Sequence, residues 1–394
     1  MGLVRSQLLR EALTWLFVSS SATRSRRGEK VETADFFSAL GSTECVWVRG
    51  RVVNQRRELS PRLCTPADEV GLAGPQEGTR FLHLLGRDGV EVIPPVKVPL
   101  DTLGFFDTLV ILPGQLTVAH PTSFSMRLSR EEEGPFLPGA GTCRLLPERY
   151  EGTIVVSDVD RTYLEADFKN MRALVSMLFK TGETRRTLEG MESFMKRLSA
   201  ARPGGELVFL TGSPFFFKRT LEWKFELDAL PVSALFTHPF VHDGVKELTG
   251  TEIRRFLRTL SNQFGHKLAV LLKLHHCLPQ GARLVLLGDD SELDAEVYAL
   301  FRRWTDGTLS QNEWIEHLRR HPLSKSEQGN IEEGVAGRHP GAKVAFIGIR
   351  HAVGRGLARC HPELRASVDL VFDQTAELEQ AMKDAGWKLP TSTS

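Results

Sequence analysis

Two aspartates one residue apart, Asp158 and Asp160, follow an apolar run in the stretch VVSDVDRTYLEADF at 155–168, with Thr162 just behind them. Two further apolar runs end in the same kind of residue. One is followed by Thr211-Gly212-Ser213-Pro214, the other by Gly288-Asp289-Asp290-Ser291-Glu292-Leu293-Asp294. An aspartate behind a strand is ordinarily a turn former or a helix cap, so no single stretch decides anything. Their joint occurrence does, because converging carboxylates repel one another and lose solvation. A fold keeps them together when a hard cation neutralises them, and oxygen ligands of this kind suit magnesium. Magnesium beside a carboxylate at the mouth of a parallel sheet, with a lysine for the phosphoryl oxygens, is equipment for phosphoryl transfer.

The elements that would position these residues follow from the apolar pattern. From Thr153 onwards, continuous apolar runs at 153–157, 206–210, 283–288, 343–347 and 368–372 alternate with helical stretches. Continuous runs suit parallel strands buried on both faces. In LEGMESFMKRLSAA, Leu188, Met191, Phe194, Met195 and Leu198 share one helix face. Ser310 and Glu313 have capping-box spacing, and Gly386 can end the last helix in a left-handed conformation. Between about 44 and 135 the pattern is different: short alternating runs such as CVWVRGRVV and FFDTLVILPG, punctuated by Pro and Gly, read as an antiparallel β domain. The expected layout is a leader over 1–43, a β-rich domain over 44–135, a linker over 136–152, a catalytic domain over 153–389 and a tail over 390–394. The expected fold class is α/β, a doubly wound Rossmann-like parallel sheet preceded by a smaller antiparallel β domain.

D-x-D-x-T after the first of these strands, Thr211 after the second, a lysine before the third and G-D-x-x-x-x-D after it resemble the haloacid dehalogenase phosphatase superfamily. More narrowly, VVSDVDRT, FLTGSP, GHK at 265–267 and LVLLGDDSELDAEVY at 284–298 resemble the phosphatidate phosphatase family of the fungal actin-patch protein and its bacterial relatives. VRGRVV at 48–53 and FIGIR at 346–350 extend the likeness over most of 44–387. The resemblance implies roles residue by residue. Asp158 is the nucleophile that takes the phosphoryl group, and Asp160 protonates the departing alcohol and later activates water. Thr211, with Gly212 and Ser213, binds the phosphoryl oxygens, and Lys267 neutralises phosphate and nucleophile. Magnesium is held by Asp158, the backbone carbonyl of Asp160 and Asp289, with Asp294 supporting. The implied substrate is phosphatidic acid or another phosphomonoester. Two positions depart from the family pattern: Arg161 stands where an acid is usual, and Tyr163 where Ile or Val is usual. Arg161 either helps to hold a phosphate or marks a weakened enzyme. Asp290 competes with Asp294 for the second acidic place.

The bulk numbers narrow the partners. With 50 Lys and Arg against 49 Asp and Glu in 394 residues, the net charge of +1 provides no field favouring nucleic acid. The 5 cysteines are scattered and never in CxxC spacing, which argues against a disulfide framework or a zinc site and for a reducing cytoplasm. No apolar run reaches the ~20 residues that span a bilayer. Near the N-terminus, Val4, Leu8, Leu9, Ala12, Trp15 and Leu16 share a helix face followed by Arg24, Arg26, Arg27 and Lys30, an arrangement open to peripheral contact with an anionic membrane. Phe215, Phe216 and Phe217 cannot share one helix face, which leaves one phenyl for the site mouth unless a covering segment buries all three. Lys169, Arg172, Lys180, Arg185 and Arg186 read as a solvated face or a lipid-facing one. His275 with His276, and His238 with His242, lack the setting of metal ligands, while Arg350 and His351 follow the fourth strand towards the cleft. Two other readings stand beside the lipid phosphatase: the same chemistry on a soluble ester, and a non-catalytic binding module.

Overall fold

The computed structural model describes residues 31–37, 39–55, 78–101, 104–114, 116–165, 180–201, 205–238, 263–336 and 341–390. The N-terminal helix face with the basic residues after it, Lys169, Arg172 and His242 lie outside the described residues.

The first sheet contains β1 (Val31–Phe37), β2 (Ala39–Ser42), β3 (Cys45–Gln55), β4 (Gly78–Leu85), β5 (Val96–Leu100), β6 (Phe105–Ile111), β7 (Thr122–Ser129) and β8 (Gly141–Leu146). Its order is β1-β3-β2-β8-β7-β4-β5, with β6 on the free side of β3. The alternation in β3 sends side chains to two different cores. Val46 and Val48 pack within the sheet's own core, while Cys45 and Trp47 join the core of the second sheet.

The second sheet contains β9 (Thr153–Ser157), β10 (Gly205–Pro214), β11 (Val232–His238), β12 (Arg283–Asp289), β13 (Lys343–Arg350) and β14 (Leu370–Phe372), in the order β11-β10-β9-β12-β13-β14. Every pairing in it is parallel. The middles of β9, β10, β12 and β13 are apolar because both faces are covered. Ile154 and Val156 point into one core with α3 (Phe264–Cys277) and α4 (Asp294–Thr305). Val155 points into the other with α1 (Met191–Ala200), α2 (Lys218–Leu227) and α8 (Thr375–Asp384). α5 (Gln311–Arg319), α6 (Lys325–Ala336) and the short α7 (Pro362–Arg365) complete the described helices.

This arrangement corrects the expected fold class. The first sheet is neither smaller nor antiparallel: it has 8 strands against 6, and β2 runs parallel to β8 through pairs such as Ala39↔Cys143. β8 comes from residues read as linker, and β1 from residues read as leader. Nor do the described residues establish a doubly wound, haloacid dehalogenase-like sheet. They form a mixed sheet and an all-parallel sheet that share a core, and parts of the β9–β10 and β11–β12 connections lie outside the description. Alternation in a single sequence cannot separate mixed from antiparallel pairing when the partners, β2 and β8, are far apart along the chain.

Smaller expectations hold. Met191, Phe194, Met195 and Leu198 are the buried face of α1. Ser310 and Glu313 close a reciprocal capping box on α5, and Gly386 adopts φ 88° after α8.

Candidate active site

The carboxyl edge of β9, between β10 and β12, gathers the acids. Asp158 leaves β9 with its backbone N–H donating to Leu287 at 2.8 Å, which ties it to β12. Its side chain is 1% exposed. Oδ1 accepts from Lys267 Nζ at 2.9 Å, while Oδ2 is buried without a partner. Asp160, two residues on, accepts from the Ser213 hydroxyl through Oδ2 at 2.7 Å, and its Oδ1 is likewise buried and unpartnered. Just past Asp160 the chain turns sharply. Arg161 has φ 63°, a left-handed conformation that a side chain rarely adopts, and its carbonyl accepts from Arg350 Nη1 at 2.8 Å. Arg350 thus braces the loop 158–161.

Lys267, in the first turn of α3, is the hub. Its Nζ lies 2.9 Å from Asp158, 2.8 Å from Glu292 and 2.5 Å from Asp294. Burial alone would lower its proton affinity, but these carboxylates outweigh burial and hold it well above the usual lysine range. The acids respond in the opposite sense to an ordinary ion pair. Burial pushes the Asp158 carboxyl well above its usual range; Lys267 pulls it down, while Asp294, Glu292 and Asp289 push it up. Asp289 rises to about 7, driven by burial and then by Asp294 and Glu292. Its Oδ1 accepts from Ser291 N–H at 2.5 Å, and its Oδ2 has no partner. Asp294, at the start of α4, accepts from the Asp289 N–H at 3.2 Å. Gly288 makes that approach possible, since a Cβ there would stand 2.5 Å from the Asp294 Cβ.

Asp158, Asp289 and Asp294 each bring a carboxylate oxygen within 4.8 Å of the others. The unpartnered Oδ2 of Asp289, the raised carboxyls and the all-oxygen donor set fit a hard divalent cation such as magnesium. Asp290 does not belong to this set. It accepts four backbone N–H bonds of 2.6–2.8 Å from Ala352, Val353, Arg355 and Gly356. Burial tends to raise its carboxyl, but those four bonds hold it below the usual range. It fastens the loop after β13, and His351 beside it pairs with Asp373 at 3.1 Å.

Thr211 is fully buried at the end of β10, where its hydroxyl accepts from Ser213 N–H at 2.9 Å. Gly212 between them admits the Gln263 side chain, which a Cβ would strike at 1.6 Å. Gln263 in turn donates to Glu292 at 2.8 Å. The three phenyls after Pro214 are packed rather than free: Phe216 and Phe217 are buried, and Phe215 stacks edge-on against Phe105 at 5.0 Å. Tyr163 is also core. It packs on Phe209 and Phe225, and its hydroxyl donates to Asp228. The departure at this position therefore serves packing.

Two residues at the site escaped the sequence reading. Glu292 was passed over between Asp289 and Asp294, yet it is a direct partner of Lys267; its place in the same acidic loop was the available signal. Arg185, read as part of a solvated or lipid-facing stretch, is 8% exposed and lies with its guanidinium 5.1 Å over the Phe217 ring. Its Nε and Nη2 have no partner, and Asp160 is the charge that raises its proton affinity against the lowering effect of burial. Lys180 and Arg186 are exposed.

The family model for the catalytic domain of phosphatidate phosphatase APP1 matches residues 153–310, the span from β9 to the cap of α5. Among curated proteins, none matches this chain. Three of the solved structures similar to this chain are distant likenesses. A β-glucuronidase of Bifidobacterium dentium, complexed with coumarin-3-O-glucuronide, has 9% identity and a TM-score of 0.23 over 66% of this chain and 44% of its own. A flavohemoglobin of Malassezia yamatoensis has 6% identity and a TM-score of 0.15 over 72% and 60%. The pullulanase SAP of Group B Streptococcus has 9% identity and a TM-score of 0.16 over 92% and 44%. The chain thus spans less than two thirds of each of these structures.

Proposed function

We propose, from the match of residues 153–310 to the family model for the catalytic domain of phosphatidate phosphatase APP1, that this chain removes phosphate from a lipid phosphomonoester, phosphatidic acid or a near relative, through an aspartyl-phosphate on Asp158. The observation that carries this reading is the paired availability of Asp158 Oδ2 and Asp160 Oδ1, both buried and unpartnered at the carboxyl edge of one strand. Lys267 fixes the other oxygen of Asp158, and Ser213 fixes the other oxygen of Asp160. Each acid therefore has one free oxygen and one oriented one.

In the first half-reaction Asp158 Oδ2 bonds to phosphorus, and the bond from phosphorus to the substrate alcohol breaks. Asp160, entering protonated, gives its proton to the departing alkoxide. In the second, Asp160 takes a proton from water as the water oxygen bonds to phosphorus and the acyl-phosphate P–O bond breaks. Inorganic phosphate leaves and Asp158 is restored. Thr211 offers its hydroxyl to a phosphoryl oxygen, and Arg185 offers unpartnered N–H groups to an oxyanion near Asp160. Asp158, Asp289 and Asp294 would hold a magnesium ion, which would supply positive charge against the phosphoryl oxygens.

The test is phosphate release from phosphatidic acid in mixed micelles, with magnesium or with EDTA, beside p-nitrophenyl phosphate as a soluble ester. Magnesium-dependent release from the lipid is the expected result. Release from the soluble ester alone would discard the lipid and keep the chemistry; silence on both would overturn the reading.

A further inference from the structure

Away from the acid cluster, three basic side chains meet where the two sheets join, each with at least one unpartnered nitrogen. Trp47 of β3 stacks on Phe236 of β11 with ring centroids 5.0 Å apart. Residues two apart on a strand share a face, so Arg49 follows Trp47 and His238 follows Phe236 to the same corner. His266, in the first turn of α3, brings its ring to 4.6 Å from that of His238. Arg49 is 5% exposed, His238 9% and His266 5%. Both ring nitrogens of His238, Nε2 of His266 and Nη1 of Arg49 are buried with no hydrogen-bond partner. Asp107, 41% exposed, pairs with Arg49 Nε at 3.3 Å and leaves Nη1 without a partner.

Unpartnered polar groups in such number call for an explanation, because each forfeits its hydration for nothing. Burial and the Arg49 charge hold His238 down to about 4, and burial, His238 and Arg49 hold His266 well below the usual imidazole range. A guanidinium and two imidazoles that penalise one another's charge share a remedy in an anion. The corner also adjoins the catalytic edge. His238 pairs in register with Pro214, one residue past Ser213, and His266 precedes Lys267 and is hydrogen-bonded to the Thr211 backbone.

We propose that Arg49, His238 and His266 form a second oxyanion site that takes a phosphate group, beside the Asp158 centre and distinct from it. Arg49 supplies charge and His238 an N–H donor. His266, engaged at Thr211 through its other nitrogen, has Nε2 left to accept the proton of a monoprotonated phosphate. The inference stands on the unpartnered groups and is independent of the phosphatase reading.

The experiment follows the imidazole resonances of the full chain, isotope-labelled at histidine, during titration with inorganic phosphate. His238→Gln and His266→Gln assign the two signals. Both signals should move saturably in the wild type and equally in Asp158→Asn, and Arg49→Gln should weaken the affinity about tenfold. Arg49→Lys, which keeps the charge but loses the fork, serves if Arg49→Gln does not fold, with a smaller loss expected. Dihexanoyl phosphatidic acid, added to the Asp158→Asn protein, separates the sources: response to phosphate assigns the site to the free ion, and response to the lipid alone assigns it to a headgroup. Signals unmoved by either probe, or moved with undiminished affinity in both Arg49 variants, would overturn the site.

Discussion

Lys267 and Lys218 are both buried lysines that bridge carboxylates, and the difference between their surroundings separates a site from a scaffold. Lys218, at the start of α2, binds Asp35 of β1 at 2.9 Å and Glu222 at 3.0 Å, and the second oxygen of Asp35 accepts from Arg51 at 3.1 Å. Both Asp35 oxygens are thereby satisfied. Burial tends to raise this carboxyl, yet Lys218, Arg51 and Arg219 together hold it well below the usual range. Around Lys267 the balance is reversed. Asp158, Glu292 and Asp294 share one amine, Asp289 stands beside them, and Asp158 and Asp289 each keep an unpartnered oxygen. The same residue types that clamp one sheet to the other at Asp35 leave surplus negative charge and free acceptors at Asp158. A cluster that is complete in itself holds structure; one that is incomplete is built to receive something.

The sharpest way to break this contrast is to neutralise one acid in each cluster. Asp158→Asn should lower turnover by roughly a thousandfold or more, since it removes the proposed nucleophile. Its thermal unfolding midpoint should stay level or rise, because a crowded charge is relieved. Asp35→Asn should behave in the opposite way, losing about 3 kcal/mol in denaturant unfolding because it strands Lys218 and Arg51, with activity per folded molecule retained. Equal stability losses in the two variants would dissolve the distinction.

A subtler contrast lies between adjacent aspartates. Asp290→Asn should cost about 2 kcal/mol of stability, because its amide nitrogen would face backbone donors, and it should leave the magnesium requirement unchanged. Asp289→Asn should raise the magnesium concentration needed for half-maximal activity. The smallest effect concerns acid. Asp35 is held low in the folded chain, so between its folded and unfolded titrations the unfolded chain binds more protons and stability rises with pH. Its contribution is complete above the ordinary carboxylate value, about 3.9, and is lost as pH falls through the folded one. Wild-type stability should therefore fall more steeply below about pH 4 than that of Asp35→Asn.

The acids were legible because their types, spacing and position behind apolar runs carry chemical meaning without a partner. Asp158, Asp160, Thr211, Lys267, Asp289 and Asp294 do stand at one sheet edge. What the sequence left open was settled by contacts between distant segments. The choice between Asp290 and Asp294 turns on the loop 352–356, whose N–H groups claim Asp290. Arg185 looked like surface until Phe217 and Asp160 were seen around it. β11, whose VSALFTH is half small and polar, drew no notice as a strand although it forms the edge of the parallel sheet. The mixed character of the first sheet hangs on β2, only 4 residues long, pairing with β8 from the supposed linker. Pairing of that kind leaves no periodic trace.

The most direct test of the central claim is to trap the phosphorylated protein. The chain would be mixed with phosphatidic acid and magnesium, quenched within milliseconds in acid and treated with borohydride, which reduces an acyl phosphate to an alcohol. Conversion of Asp158 to homoserine, seen by peptide mass and absent without substrate, is the expected result. Turnover with no homoserine at 158, or with homoserine at Asp160 or Asp289 instead, would contradict the assignment of the nucleophile.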